Sequence, residues 1–340
     1  MNAVQLQACR ELMRDGSKSF FMASRLLPSA VRAPATALYA FCRVADDAID
    51  TSGHPATALR DLGARLDAVY AGAPHGHTAD VALAAVVADA GLPRPLLDAL
   101  LEGFAWDAEG RRYETIEDLH AYGARVAGTV GAMMALVMDT RDERSLARAC
   151  ELGVAMQLTN IARDVGEDAR NRRVYLPLRW LREEGIDPDA FIAAPAFDAR
   201  IARIVQRLLA EADRLYARGE CGVGGLPRGC RPAIQAARLV YAEIGRALLA
   251  RGCDSVHHRA TVRTARKLQL LMRASVAWCV PPGRPIEAQA ASPALPAVRF
   301  LVDAARSGDL PQRTFYQRTL RVLDLCERNA LRRGGEQAAA

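Results

Sequence analysis

The sequence predicts an all-α protein built as one large helical domain, and three observations carry that prediction. Apolar residues recur with a period near 3.6 along almost the whole chain. No long alternating run of β-branched residues interrupts them. About half of the 340 residues are hydrophobic (51%), enough for a sizeable core, and no shift in composition marks a second domain before a Pro/Ala-rich stretch at 281–296.

The periodic segments predict helices over Ala3–Arg14, Ser29–Thr51 and Ala56–Ala71, the last closed by the turn residues Gly72-Ala73-Pro74. Asp80–Ala90 and Arg94–Ala108 follow, separated by Gly91-Leu92-Pro93. Ile116–Met138 and Glu143–Asp168 are the longest apolar pair in the middle of the chain. Asp198–Arg218 and Arg231–Arg251 flank a glycine-rich break at Gly222-Val223-Gly224-Gly225-Leu226-Pro227. Thr261–Val280 ends at Pro281-Pro282-Gly283, so residues 1–280 form the helical domain and 281–296 a flexible linker. Beyond it, Ala297–Arg306 and Arg313–Arg332 read as peripheral helices before a disordered tail.

The formal charge is +6, yet Lys18 and Lys267 are the only lysines, so the basic character is nearly all arginine. No compact Lys/Arg run interleaved with aromatics is present, which argues against nucleic acid as a partner. Weak attraction to anionic lipid headgroups is compatible with the charge. The eight cysteines are scattered without CxxC spacing or a secretory leader, and read as reduced, buried hydrophobes of a cytoplasmic protein. No apolar run approaches the ~20 residues that span a bilayer. His75, His77, His257 and His258 lack other ligand types nearby and read as surface residues.

The chemistry lies in two acidic clusters set in otherwise amphipathic helices, Asp46-Asp47-Ala48-Ile49-Asp50 and Asp164-Val165-Gly166-Glu167-Asp168. At about 100° per residue, Tyr39, Arg43, Asp46 and Asp50 share one arc, with Asp47 at its edge. Gln157, Asn160, Asp164 and Asp168 likewise form one stripe. Like charges at i,i+4 destabilise a helix by a few tenths of a kcal/mol, and partial burial of unpaired carboxylates costs more. A single such string is most simply a solvated helix face; two of them, each with a polar or basic partner in the same arc, call for a cation. Mg²⁺ suits hard carboxylate oxygens and leaves positions for phosphate and water, so two facing rows would clamp a diphosphate through metal ions.

The segment Tyr122–Met134 adds an apolar stripe, Tyr122, Val126, Val130 and Met133. Gly128 and Gly131 beside it each cost about 1 kcal/mol in a helix, and either leave room for a long apolar guest or serve tight helix packing. With carboxylates at its mouth, the stripe implies an apolar tunnel beneath a diphosphate anchor.

These strings together resemble the squalene/phytoene synthase family, most closely its bacterial phytoene synthases. The resemblance rests on Ser17-Lys18-Ser19-Phe20-Phe21, on Leu38 through Asp50, on Tyr122 with Val126-Ala127-Gly128-Thr129-Val130-Gly131, and on Gln157 through Asp168 continuing to Val174-Tyr175-Leu176-Pro177. It covers residues from about 12 to about 280, and the long second motif is its most specific part. It implies an isoprenoid-synthase helical bundle around a central cavity that joins two molecules of geranylgeranyl diphosphate head to head. By family likeness Asp46, Asp47, Asp50, Asp164 and Asp168, with Asn160, would hold Mg²⁺, with Mn²⁺ as a substitute. Ser19, Tyr39, Arg43, Gln157, Asn160, Arg163 and Arg259 would contact the diphosphates, and Val126 and Val130 the prenyl chains. Arg172, Arg173 and Tyr175 would lie on a flap, and Tyr122 and Tyr175 would assist proton removal.

The reaction so implied ends in proton loss, so no nicotinamide cofactor is expected; the absence of a dinucleotide fingerprint decides little, because squalene-forming relatives lack it too. The competing readings are a squalene, hydroxysqualene or diapophytoene synthase acting on farnesyl diphosphate, a head-to-tail prenyltransferase or terpene cyclase, and a non-catalytic helical assembly factor. The specific second motif disfavours the cyclase, and the five intact aspartates disfavour the assembly factor. A product too apolar to diffuse freely in water implies peripheral, transient association with the inner face of the membrane and contact with neighbouring carotenoid-pathway enzymes.

Overall fold

The computed structural model describes residues 3–277 and 292–307. All regular structure in this range is helical. The helices are α1 (Ala3–Gly16), α2 (Lys18–Ser24), α3 (Ser29–Asp50), α4 (Pro55–Tyr70), α5 (Thr78–Ala90), α6 (Arg94–Ala108), α7 (Ile116–Gly123) and α8 (Thr129–Val137). They continue as α9 (Glu143–Arg170), α10 (Leu178–Glu183), α11 (Pro188–Ala193), α12 (Ala199–Val223), α13 (Arg231–Leu249), α14 (Thr264–Ala277) and α15 (Arg299–Ser307).

The bundle is organised on α9. Asp142 caps it by accepting from the Ser145 N–H at 2.8 Å, and its 28 residues bury Leu146, Cys150, Val154, Leu158, Ile161 and Val165 against α8, α12 and α13. Its approach to α8 is backbone on backbone: a Cβ on Gly131 would stand 2.1 Å from the Ala149 carbonyl oxygen, and one on Gly153 2.2 Å from that of Ala127. A Cβ on Gly128 would press to 3.2 Å on Leu301 of α15. The two glycines of the Tyr122–Met134 segment therefore serve helix packing, the second of the two uses open to them.

The segment expected as one helix over Ile116–Met138 is broken by a π-helical stretch, Ala124–Gly128. Its i→i+5 bonds hold one extra residue per turn and rotate everything beyond it. The stripe Tyr122, Val126, Val130, Met133 is accordingly corrected. Val126, Val130, Met134 and Met138 face the central cavity, Met133 is fully buried in helix packing, and Tyr122 turns toward α6.

Three short helices were not foreseen: α2, capped by Ser17, and α10 and α11, which begin after Pro177 and Asp187. Residues 292–295, the end of the stretch read as a linker, are bonded to α9 and α12: Leu295 N–H donates to Glu151 at 2.8 Å, and the Pro293 carbonyl accepts from Arg218. The helix that follows, α15, buries Leu301, Val302 and Ala305 in the main core. Residues 281–291 and the helix expected at Arg313–Arg332 lie outside the described residues. No disulfide links the described cysteines.

Candidate active site

An elongated cavity of ≈ 300 Å³ runs through the bundle. Phe20, Tyr39, Cys42, Gln157, Asn160 and Tyr241 surround its upper end; Leu27, Met138, Ser145, Arg148 and Leu226 close the lower one. Its wall is overwhelmingly apolar because α2, α3, α8, α9, α12 and α13 all turn alanine, glycine, methionine or leucine toward it.

The two carboxylate rows stand just beyond the upper end, on the last turns of α3 and α9. Arg43 bonds Asp47 at 2.6 Å and approaches Asp46 at 3.6 Å. Arg163 grips Asp164 with two bonds, Nε at 2.8 Å and Nη2 at 2.5 Å. Arg259 reaches the same carboxylate from the segment before α14, at 2.8 and 3.2 Å, and Glu167 at 3.6 Å. Arg173 donates to Asp50 at 2.9 Å and so ties the segment after the second row to the first. Glycine makes the Arg259 contact feasible: a Cβ on Gly166 would stand 2.1 Å from the Val256 carbonyl oxygen, and the Gly166 N–H donates to Ser255 at 3.0 Å.

Asp107, at the end of α6, joins the two rows and was not foreseen. Its carboxylate accepts from Tyr122 Oη at 2.8 Å and from Tyr175 Oη at 2.7 Å, and the rings of Tyr122, Tyr175 and Tyr113 stack within 5.1–6.2 Å of one another. Tyr175 is buried by these contacts, so the segment expected as a flap is tied down at that residue. Tyr122 and Tyr175 lie outside the main cavity wall; Tyr175 lines a small pocket with Asp168 and Arg173.

The electrostatics are those of excess negative charge. Burial and the neighbouring charges of Asp164 and Glu167 push Asp168 up to about 8. Burial, then the Asp50 charge, lifts Asp46 to about 6. Asp107 is raised by burial against the lowering effect of its two tyrosine bonds, and burial raises the Tyr39 hydroxyl to about 12. Seven carboxylates, counting Asp107 and Glu167, share four guanidinium groups here. Hard oxygen donors in excess over their counter-charges fit divalent cations. Among the described residues no three acidic, His or Cys side chains converge as a ready-made chelate.

Other expected residues are placed as follows. Val126, Val130, Tyr39, Gln157 and Asn160 line the cavity, with Asn160 donating to Gln157 at 3.4 Å. Ser19 is half-buried on α2 outside the lining. His75, His77, His257 and His258 are exposed.

A family model for squalene/phytoene synthase matches residues 13–266. The chain belongs to that family. It is 50% identical over 313 residues to a phytoene synthase of Rhodobacter capsulatus, covering 91% of this chain and 92% of the relative. It is 49% identical over 331 residues to one from Cereibacter sphaeroides, covering 94% and 93%. Among solved structures, a dehydrosqualene synthase with bound ligand superposes with a TM-score of 0.73 at 28% identity, covering 82% of this chain and 97% of the other. A squalene synthase from Alicyclobacillus acidocaldarius gives 0.66 at 26% identity, covering 73% and 94%.

The chain's only two lysines also sense each other electrostatically. Burial and then the charge of Lys18 lower the pKa of Lys267, and neither has a carboxylate within ion-pair reach among the described residues. Lys18 begins α2 directly after its cap Ser17, whose hydroxyl accepts from the Phe20 N–H. Their distance of nearly 250 positions in sequence gave no signal of this pairing.

Proposed function

We propose that the chain is a phytoene synthase, a prenyltransferase that condenses two geranylgeranyl diphosphates through prephytoene diphosphate to phytoene, the first committed step of carotenoid biosynthesis. The observation that carries the reading is the apolar cavity leading away from two carboxylate rows, in a chain about half identical to bacterial phytoene synthases.

Asp46, Asp47, Asp50, Asp164 and Asp168, with the Asn160 amide, would hold Mg²⁺, or Mn²⁺ in its place. Bound there, the ions would neutralise the leaving diphosphate. Arg43, Arg163, Arg173 and Arg259 hold the carboxylates in position and offer guanidinium N–H groups to phosphate oxygens. One C–O bond ionises as its diphosphate departs, and the allylic cation is attacked by the double bond of the second substrate. Proton loss then closes the cyclopropane of prephytoene diphosphate. Departure of the second diphosphate, rearrangement and a second proton loss give phytoene. The released diphosphate is the base; Tyr122 and Tyr175, which lie outside the cavity wall, donate their hydroxyl protons to Asp107 and hold its carboxylate beside the two acidic rows. The apolar wall excludes water from the cations. The route consumes no hydride and needs no nicotinamide.

Incubating the purified protein with Mg²⁺ and either geranylgeranyl or farnesyl diphosphate, with and without NADPH, tests this. Phytoene from the twenty-carbon substrate, indifferent to NADPH, is the expected product; squalene or its relatives from the fifteen-carbon one would replace the reading.

We also infer a peripheral, transient contact with the inner membrane face. No described helix is long and apolar enough to cross a membrane. On α14, Leu268 and Met272 are exposed one turn apart, flanked by Lys267 and Arg273, an arrangement that suits an anionic lipid surface.

A further inference from the structure

Among the described residues, one charged side chain lines an otherwise uncharged cavity: Arg148, at its lower end. It is 2% exposed, and its guanidinium is fixed on two sides. Nη1 donates to Glu151 at 2.5 Å, and Nη2 donates to the Ser292 carbonyl; Nε has no partner. Glu151 is fully buried and is held independently, by Arg218 at 2.5 and 3.1 Å and by the Leu295 N–H at 2.8 Å. A floor built this way does not yield to an apolar chain end, because displacing the guanidinium would strand a buried charge away from its partner.

We propose that Arg148 is the depth stop of the cavity and sets the longest prenyl tail the protein accepts; this rests on the reading of the cavity as a prenyl diphosphate site. The length follows from α9. Gln157, Met156, Gly153, Leu152 and Ala149 line the wall between Asn160 and Arg148, and the 16-residue descent along α9 from Asp164, in the acidic row that anchors the diphosphate, to Arg148 covers about 24 Å at ~1.5 Å per residue. Single bonds of about 1.5 Å meeting near 111° advance about 1.25 Å each, so a prenyl chain of four isoprene units, with four main-chain carbons apiece, reaches about 20 Å. A fifth unit adds about 5 Å on the same geometry and meets the guanidinium. Three units stop short of it.

The test measures binding rather than turnover, using the thiodiphosphate analogues of farnesyl, geranylgeranyl and geranylfarnesyl diphosphate with Mg²⁺, by calorimetry. Wild type should bind the twenty-five-carbon analogue at least tenfold more weakly than the twenty-carbon one. Arg148→Ala, which leaves Glu151 its bonds to Arg218 and Leu295, should narrow that gap at least tenfold while the ratio between fifteen and twenty carbons stays within twofold. Arg148→Gln, shorter but still able to donate to Glu151, should narrow it by a smaller factor and serves if the alanine variant does not fold. An unchanged gap in every variant that folds overturns the proposal. Failure of the phytoene reading shows separately, as wild-type turnover giving a different hydrocarbon.

Discussion

Gly166→Ala probes the junction between the second acidic row and the segment that carries Arg259. The added Cβ would lie 2.1 Å from the Val256 carbonyl oxygen and 2.6 Å from its Cα. Carbon and oxygen pack no closer than about 3.3 Å, so the two backbones must part by roughly 1.2 Å. Both contacts are main chain, and no rotamer change can absorb the strain. Overpacking of this kind costs about 1–3 kcal/mol, and weakening the Gly166 N–H bond to Ser255, 3.0 Å long here, adds about 0.5–1.5 kcal/mol. A loss of about 2–4 kcal/mol should lower Tm by about 3–6 °C in a chain of this size. Arg259 moves with the segment, and misplacing a charge-bearing contact by about 1 Å can cost up to a hundredfold, so kcat/KM should fall by about ten- to a hundredfold while the far-ultraviolet circular dichroism stays helical. Gly63→Ala is the control: it sits inside α4 with nothing within 4 Å of the new Cβ, and should stabilise by about 0.5–1 kcal/mol. If Gly166→Ala melts within a degree of wild type and turns over at the same rate, the close approach does not position Arg259.

Chelation should abolish activity and Mg²⁺ or Mn²⁺ should restore it, while Asp47→Asn or Asp164→Asn should lower turnover by several orders of magnitude without unfolding the helices; full turnover in excess EDTA would exclude the clamp. The pH dependence has a definite sign. Asp46 at about 6 and Asp168 at about 8 lie above the ordinary aspartate value of 3.8, so with chelator present the folded chain holds more protons than the unfolded one between about pH 4 and 8. Stability from these groups falls as pH rises through that window. Metal binding near pH 7 must then expel protons and tighten with pH, which calorimetry in two buffers of different ionisation enthalpy measures; buffer-independent heats would contradict it. Val130→Phe, on the cavity wall, should disfavour the twenty-carbon substrate roughly tenfold against the fifteen-carbon one, since expelling each buried CH₂ costs about 0.8 kcal/mol; parallel loss of both activities would mean the site only packs. Leu268→Ser with Met272→Ser should reduce sedimentation with phosphatidylglycerol vesicles, and equal sedimentation would move the membrane contact elsewhere.

The long helices were legible because burial imposes a period. The boundaries of α3 and α9 fall within two residues of those read from Ser29–Thr51 and Glu143–Asp168. What escaped lacks a period: α2, α10 and α11 have six or seven residues each, too short to repeat an apolar stripe. The π-helical turn at Ala124–Gly128 left no compositional trace, and its one-residue rotation is the reason Met134 rather than Met133 faces the cavity.

At the site, the sequence exposes what one helix can display by itself. Arg43 shares the arc of the first aspartate row and Arg163 directly precedes Asp164 of the second, so the pairs Arg43–Asp47 and Arg163–Asp164 could be read from adjacency along α3 and α9. Asp107 could not, because its meaning depends on tyrosines 15 and 68 positions away that only the packed bundle brings to it. Arg148 and Glu151 are the sharpest case. Three residues apart on a helix, they look like an ordinary solvated ion pair worth a few tenths of a kcal/mol. Burial beneath residues 292–295 reverses that reading. The same spacing that decorates a surface elsewhere here places a charge where an apolar chain must end.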